Sequence, residues 1–203
     1  MVRVHKPAAI ISAAIAILGR LPGFVRCWAE SHFPEWFLPE RIALKTRRMD
    51  FYDDEPIDEI VKTELHETEL KAYDRLKPLQ GLVVPRCYGE ASYDGAPALV
   101  LEDVGGHSLA APEGCLLTPE QLSAMLQECY RALHAFGVQQ EDSQLGNFLR
   151  VNGTLMRLDL QMVEFDFSAE ESQKSMEFCI AEVADRYHSM RAFPQSEGFL
   201  EAA

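Results

Sequence analysis

The stretch Leu133-His134-Ala135-Phe136-Gly137-Val138-Gln139-Gln140-Glu141-Asp142-Ser143-Gln144-Leu145-Gly146-Asn147-Phe148-Leu149, continued after a turn by Met156-Arg157-Leu158-Asp159-Leu160, carries the reading of the chain. It opens as the end of a helix, which Gly137 stops. Residues 138–147 then read as a polar loop. Asn152-Gly153 is a two-residue hairpin signal, and it predicts strands over 148–151 and 155–160. Upstream, Thr118-Pro119-Glu120-Gln121 places a capping residue before Pro at the first helical position. Leu122, Met125, Leu126, Cys129, Leu133 and Phe136 follow at helical spacing and predict a helix with one buried face. Downstream, the tail from Ser168 is expected to be helical, with an apolar face from Met176, Ile180, Val183 and Tyr187.

The N-terminal half has different parts. Arg41-Ile42-Ala43-Leu44-Lys45-Thr46 alternates like a short strand. Asp53, Asp54, Glu55, Asp58 and Glu59 crowd the entry to a helix that begins near Pro56 and runs to about Lys77, before Pro78 and Gly81. Two apolar strands follow over 86–91 and 98–104, joined through Tyr93-Asp94-Gly95. Gly105-Gly106 interrupts the pattern directly after a strand and reads as a flexible junction, so the boundary between two lobes is placed there. On the helix from 57 to 77 the apolar stripe is Val61, Leu65, Ala72, Tyr73 and Leu76, and Glu69 falls on it. A carboxylate facing a core needs a partner, and Lys45 is the nearest upstream candidate. From those two residues alone, a solvent-edge Glu69 and a surface Lys45 are the preferred reading.

The chain has 203 residues, 47% of them apolar and 25% charged, which suits a globular domain able to bury a core. Lys plus Arg total 19 against 32 Asp plus Glu, a formal charge of −13. That sign opposes the counterion-release term behind nucleic-acid binding, so nucleic acid and anionic membrane surfaces are not expected partners. Cys27, Cys87, Cys115, Cys129 and Cys179 form no C-x-x-C pair and have no His at zinc-site spacing. They read as reduced thiols of a cytoplasmic or nuclear protein. A run of small and apolar residues from Ala8 to Leu18, after Arg3, His5 and Lys6, imitates a signal peptide. It is shorter than the roughly 20 residues a membrane span needs, and no small-x-small cleavage site follows. A buried helix or a leader is the preferred reading, with secretion the alternative.

The quoted stretch resembles the catalytic segment of the protein kinase-like superfamily, in which helix, "LH..GV", H-x-D-x-x-x-x-N, hairpin and a strand-end Asp follow in order. Residues 100–106 (VLEDVGG) look like the strand-to-hinge segment, and 42–45 (IALK) like the strand bearing the ATP-phosphate lysine. Residues 68–81 (TELKAYDRLKPLQG) look like the helix that supplies its glutamate partner. The wording "AYDRLKPLQG..VPRCYG" is similar to fungal kinase-like proteins related to aminoglycoside phosphotransferases. The ordered motifs cover roughly residues 40–165.

The resemblance implies an α+β, two-lobed kinase-like fold with a shortened C-terminal lobe. Residues 1–39 would be a leader and the start of the small lobe, 40–104 the N-lobe and 105–203 the C-lobe. It implies an ATP- and Mg²⁺-dependent phosphotransferase acting on a hydroxyl of a protein Ser/Thr or a small molecule. Asp142 would orient the acceptor, Asn147 and Asp159 would hold metal, and Lys45, paired with Glu69, would contact phosphate. Backbone around Glu102 and Val104 would receive the adenine.

Four departures accompany it. Gln140 and Glu141 replace the usual His and its Arg or Gly neighbour, and the D-F-G triplet is Asp159-Leu160-Gln161. No G-x-G-x-x-G precedes Lys45, and only about 44 residues follow Asp159, as in a truncated kinase-like domain. These departures motivate the alternative: a pseudokinase, a nucleotide-binding or scaffolding module with a protein partner. His134 is expected to be a packing histidine, and Trp28, Phe33, Trp36 and Phe37 to be packing aromatics.

Overall fold

The computed structural model describes residues 2–3, 23, 32, 37–46, 51–52, 55–56, 58–112 and 117–196. The apolar run from Ala8 to Leu18, Cys27, Trp28, Phe33, Trp36, Asp53, Asp54 and Cys115 lie outside those residues. The chain is α+β, and every ladder among the described residues is antiparallel. It divides into two compact units, residues 1–48 with 86–103, and residues 49–85 with 104–203. Among the described residues no helix is long and apolar enough to cross a membrane.

The first unit is a four-stranded sheet of β1 (Val2–Arg3), β2 (Arg41–Thr46), β5 (Cys87–Tyr93) and β6 (Ala96–Glu102), in the order β1-β2-β6-β5. Asp94 and Gly95 turn β5 into β6 with φ of 52° and 75°, the pair of positive angles that a two-residue hairpin needs. The central strand β6 is the apolar one, and its Ala98, Leu99, Val100 and Leu101 are buried with Ile42 of β2.

The second unit holds β3 (Phe51–Tyr52) paired with β4 (Glu55–Pro56), and helix α1 (Glu59–Arg75). The helix starts three residues later than Pro56 because Asp58 is the residue whose carboxylate takes the free Ile60 N–H, at 3.0 Å. It stops two residues before Lys77, where a 3₁₀ turn over Lys77–Leu79 begins. Ala72, Tyr73 and Leu76 of the expected stripe are buried, whereas Val61 is exposed. Glu69 lies fully in the interior at 1% exposure, which overturns the solvent-edge reading.

Beyond it, β7 (His107–Ser108) joins β9 (Phe148–Val151) and β10 (Thr154–Arg157) in a sheet ordered β10-β9-β7, with Asn152 and Gly153 at φ of 49° and 86° making the tight turn. Gly106, in the expected flexible junction, is required by close packing: at φ +80° a Cβ there would meet the Arg150 carbonyl oxygen at 2.4 Å. Helix α2 (Pro119–Ala135) carries a capping box, with Thr118 and Gln121 each bonding the other's backbone N–H. Its buried face is Leu122, Leu126, Cys129, Tyr130 and Leu133.

The loop expected over 138–147 is partly a strand. β8 (Val138–Gln140) pairs with β11 (Val163–Phe165), and all three β8 residues are buried, which sequence polarity at Gln139 and Gln140 concealed. The tail forms helix α3 (Ala169–Ser196), opened by reciprocal bonds between Ser168 and Glu171. Met176, Cys179, Val183 and Tyr187 are its buried face, so Cys179 takes the place expected for Ile180, which is half-buried.

His134 packs where α2 meets α3. Its Nδ1 is 2.7 Å from Ser172 Oγ, its ring lies 5.4 Å from that of Phe167, and Nε2 is buried without a partner. Desolvation holds its pKa below the ordinary value. An unfolded chain therefore takes up a proton near pH 6.5 that the folded chain refuses until lower pH. Stability is expected to fall as pH drops through that window. Melting curves between pH 7.5 and 5.5 check this, with His134→Gln expected to show the smaller loss.

Candidate functional site

The second unit brings Asp142, Asn147 and Asp159 together. Asn147 Nδ2 donates to Asp142 Oδ2 at 2.6 Å, and Gln144 N donates to Asp142 Oδ1 at 3.0 Å. The second bond is an Asx turn, which aims the carboxylate back over its own loop. Gln161 N donates to Asp159 Oδ1 at 3.0 Å in the same local pattern. Leu158 N donates to Asn147 O at 2.9 Å, so the strand end bearing Asp159 is fastened to the 3₁₀ turn (Leu145–Asn147) bearing Asn147.

Gln140 supplies the main connection. It is 1% exposed, its Oε1 accepts from Asp142 N at 2.9 Å, and its Nε2 donates to Asp159 O at 3.0 Å. One amide thus ties the backbone of both aspartates. Arg157, completely buried, touches the same two residues from below: its Nη2 donates to Asp142 O, and its Nε to Asp159 O at 3.4 Å. Ser143, beside Asp142, is anchored by donating to Glu182 Oε2, and the bonds from Ser143 and Arg186 hold the Glu182 carboxyl below its usual range.

Asp142 and Asp159 line one cavity of about 470 Å³ with Leu65, Gln140, Glu141, Gln144, Gln161, Met162 and Glu164. Its lining includes four carboxylates and no Lys or Arg, so it is a region of negative potential that suits a cation. Glu69 accepts from Leu160 N at 3.4 Å, beside Asp159. A neighbouring cavity of about 510 Å³ shares Glu141 and Glu164 and adds Asp166, Glu171, Phe165, Phe167 and Phe178.

The remaining expected residues divide between the units. Lys45 is half-buried in β2 opposite Leu99, in the first unit. Glu102 ends β6, where its Oε2 accepts from Arg86 N at 3.2 Å. Val104 opens the second segment of the second unit, directly after Asp103, which pairs with Arg41 at 2.8 Å. Lys45 and Glu69 belong to different units, and their pairing rests on the resemblance alone.

The site has oxygen donors of the type a hard divalent cation takes, but among the described residues no group of three or more His, Cys, Asp or Glu side chains is placed to hold a metal ion. Asp142 and Asp159 offer carboxylate oxygens, and Asn147, with its Nδ2 committed to Asp142, has its amide oxygen left to offer. Oxygen-only sets of this kind suit Mg²⁺. Arg157 went unnoticed in sequence, although a lone charge inside Leu155-Met156-Arg157-Leu158 is the signal that could have found it.

These features define an α+β protein whose second unit presents two braced aspartates at an acidic cavity, with an asparagine hydrogen-bonded to one of them. In comparison with known proteins, no family model and no curated sequence matches the chain.

Proposed function

We propose that the protein is a phosphotransferase of the protein kinase-like type, two-lobed, that moves the γ-phosphoryl group of ATP to a hydroxyl acceptor. One observation carries the reading: Asp142 and Asp159, seventeen residues apart in sequence, line one acidic cavity, with Asn147 hydrogen-bonded to Asp142. In this reading Asp142 receives the acceptor hydroxyl and takes its proton as the new O–P bond forms. The bond from the γ-phosphorus to its bridging oxygen breaks, and ADP leaves. Asn147 and Asp159 would hold Mg²⁺, which when bound neutralises phosphate charge. Lys45, Glu69 and the backbone around Glu102 and Val104 keep the nucleotide-binding roles that the resemblance implies. The acidic lining disfavours acceptors that carry negative charge of their own.

A thermal-shift titration with ATP, with and without Mg²⁺, tests the reading on wild type and Asp159→Asn. A ligand that binds only the folded state raises the melting temperature by an amount set by its concentration over Kd. Wild type is expected to show a Mg²⁺-dependent rise that Asp159→Asn loses. No rise at millimolar nucleotide on folded protein would remove phosphotransfer and leave the scaffold reading.

A further inference from the structure

We infer that Arg157 is a positioning residue that fixes the separation of Asp142 and Asp159; its consequence for catalysis rests on the phosphotransfer reading. Burial is the first observation. The side chain is 0% exposed, among described residues it has no ion pair, and its Nη1 is buried with no hydrogen-bond partner. Burial pushes the pKa values of Cys129, Tyr130 and Cys179 up and outweighs the lowering by Arg157, so these neighbours bring no compensating anion. A buried guanidinium lacking a carboxylate is a costly way to fill a core, and an apolar side chain of similar volume commonly does it better.

The contacts it does make converge on the site. Nη2 bonds Asp142 O and Nε bonds Asp159 O, while the guanidinium carbon stands 4.4 Å from the centre of the Phe148 ring, immediately after Asn147. A rigid planar fork thus spans the carbonyls of both aspartates and rests on the residue next to the third member of the set. Lysine has a single point of attachment and cannot span both carbonyls in a fixed geometry. Gln140 bonds Asp142 N and Asp159 O, so each aspartate is held by two buried side chains.

Two variants and two measurements test this. Arg157→Met keeps the volume and removes the charge; Arg157→Lys keeps the charge and removes the fork. In protein without nucleotide, both are expected to melt no lower than wild type by more than a few degrees. The amides of Asp142, Gln144 and Gln161 should nevertheless exchange with solvent at least about tenfold faster, while amides within α2 keep their rates. In calorimetric titrations with ATP, Mg²⁺ should enhance affinity about tenfold less in both variants than in wild type, with Mg²⁺-free affinity unchanged. A purely structural arginine would lower melting temperature and all protection together, and that result overturns the inference. So does unchanged exchange at the three amides in folded variants. If exchange quickens as expected but wild type binds no Mg·ATP, Arg157 still positions the two aspartates and it is the phosphotransfer reading that fails.

Discussion

On the phosphotransfer reading, Asp142→Ala is expected to lower ATP turnover, read as ADP release, by about 10²–10⁴-fold, the range over which a positioned acid or base acts. The size of the effect follows from how narrowly this carboxylate is held. Oδ2 takes the Asn147 amide at 2.6 Å and Oδ1 takes Gln144 N at 3.0 Å, so its orientation is fixed before any acceptor arrives. Alanine removes the proton acceptor and also leaves those two donors without it. The companion variant Asp142→Asn separates the two losses. Its amide oxygen can still accept from Gln144 N, preserving the turn, but it cannot take a proton. Both variants should therefore lose turnover to a similar extent, and Asp142→Asn should melt closer to wild type than Asp142→Ala. Turnover equal to wild type in Asp142→Asn would remove Asp142 from the chemistry.

Local signals in the sequence located most elements because each rests on a backbone requirement that few residues meet. Asp94-Gly95 and Asn152-Gly153 supply successive positive φ angles, and both sit where hairpins turn. Thr118 and Gln121 form the capping box that their spacing announces. What stayed hidden depended on tertiary burial. The polar pair Gln139 and Gln140 looks like loop, yet both are buried in β8. Asp142 and Asp159 supply both partners of the Gln140 amide, while Gln139 Nε2 donates to Glu141 and its Oε1 is buried without a partner. Glu69 looked safer at a solvent edge, since nothing local says that Leu160 N will meet it. At the candidate site, Asp142, Asn147 and Asp159 were legible as an ordered motif. The residues that brace them were not, because bracing is a property of which side chains meet in space. Gln140 drew notice as a departure and Arg157 drew none.

The largest expected loss of stability comes from Gln140→Leu. Leucine fills similar space but leaves Asp142 N–H unpaired, and it strips from Asp159 O the Gln140 amide donor, which Arg157 Nε at 3.4 Å accompanies. An orphaned buried donor costs about 1–3 kcal/mol and a lost ordinary bond about 0.5–1.5, so a decrease of roughly 2–4 kcal/mol is expected. For a chain of this size that corresponds to a melting temperature lower by roughly 4–15 °C. Gln140→Glu sharpens the test through its sign with pH. An ionised glutamate accepts from Asp142 N but meets Asp159 O with no proton to share, in a pocket already lined by carboxylates. Its folded-state pKa must then rise above its unfolded value, so this variant should gain stability relative to wild type as pH falls, when protonation restores a donor. Gln140→His should be the mildest of the three, since a neutral imidazole also carries one donor and one acceptor. The position demands a side chain that gives one hydrogen bond and takes another. Histidine and glutamine both satisfy that demand, so either can bridge the two aspartates. Leucine matching wild type in stability would show that the bridge through Gln140 contributes nothing.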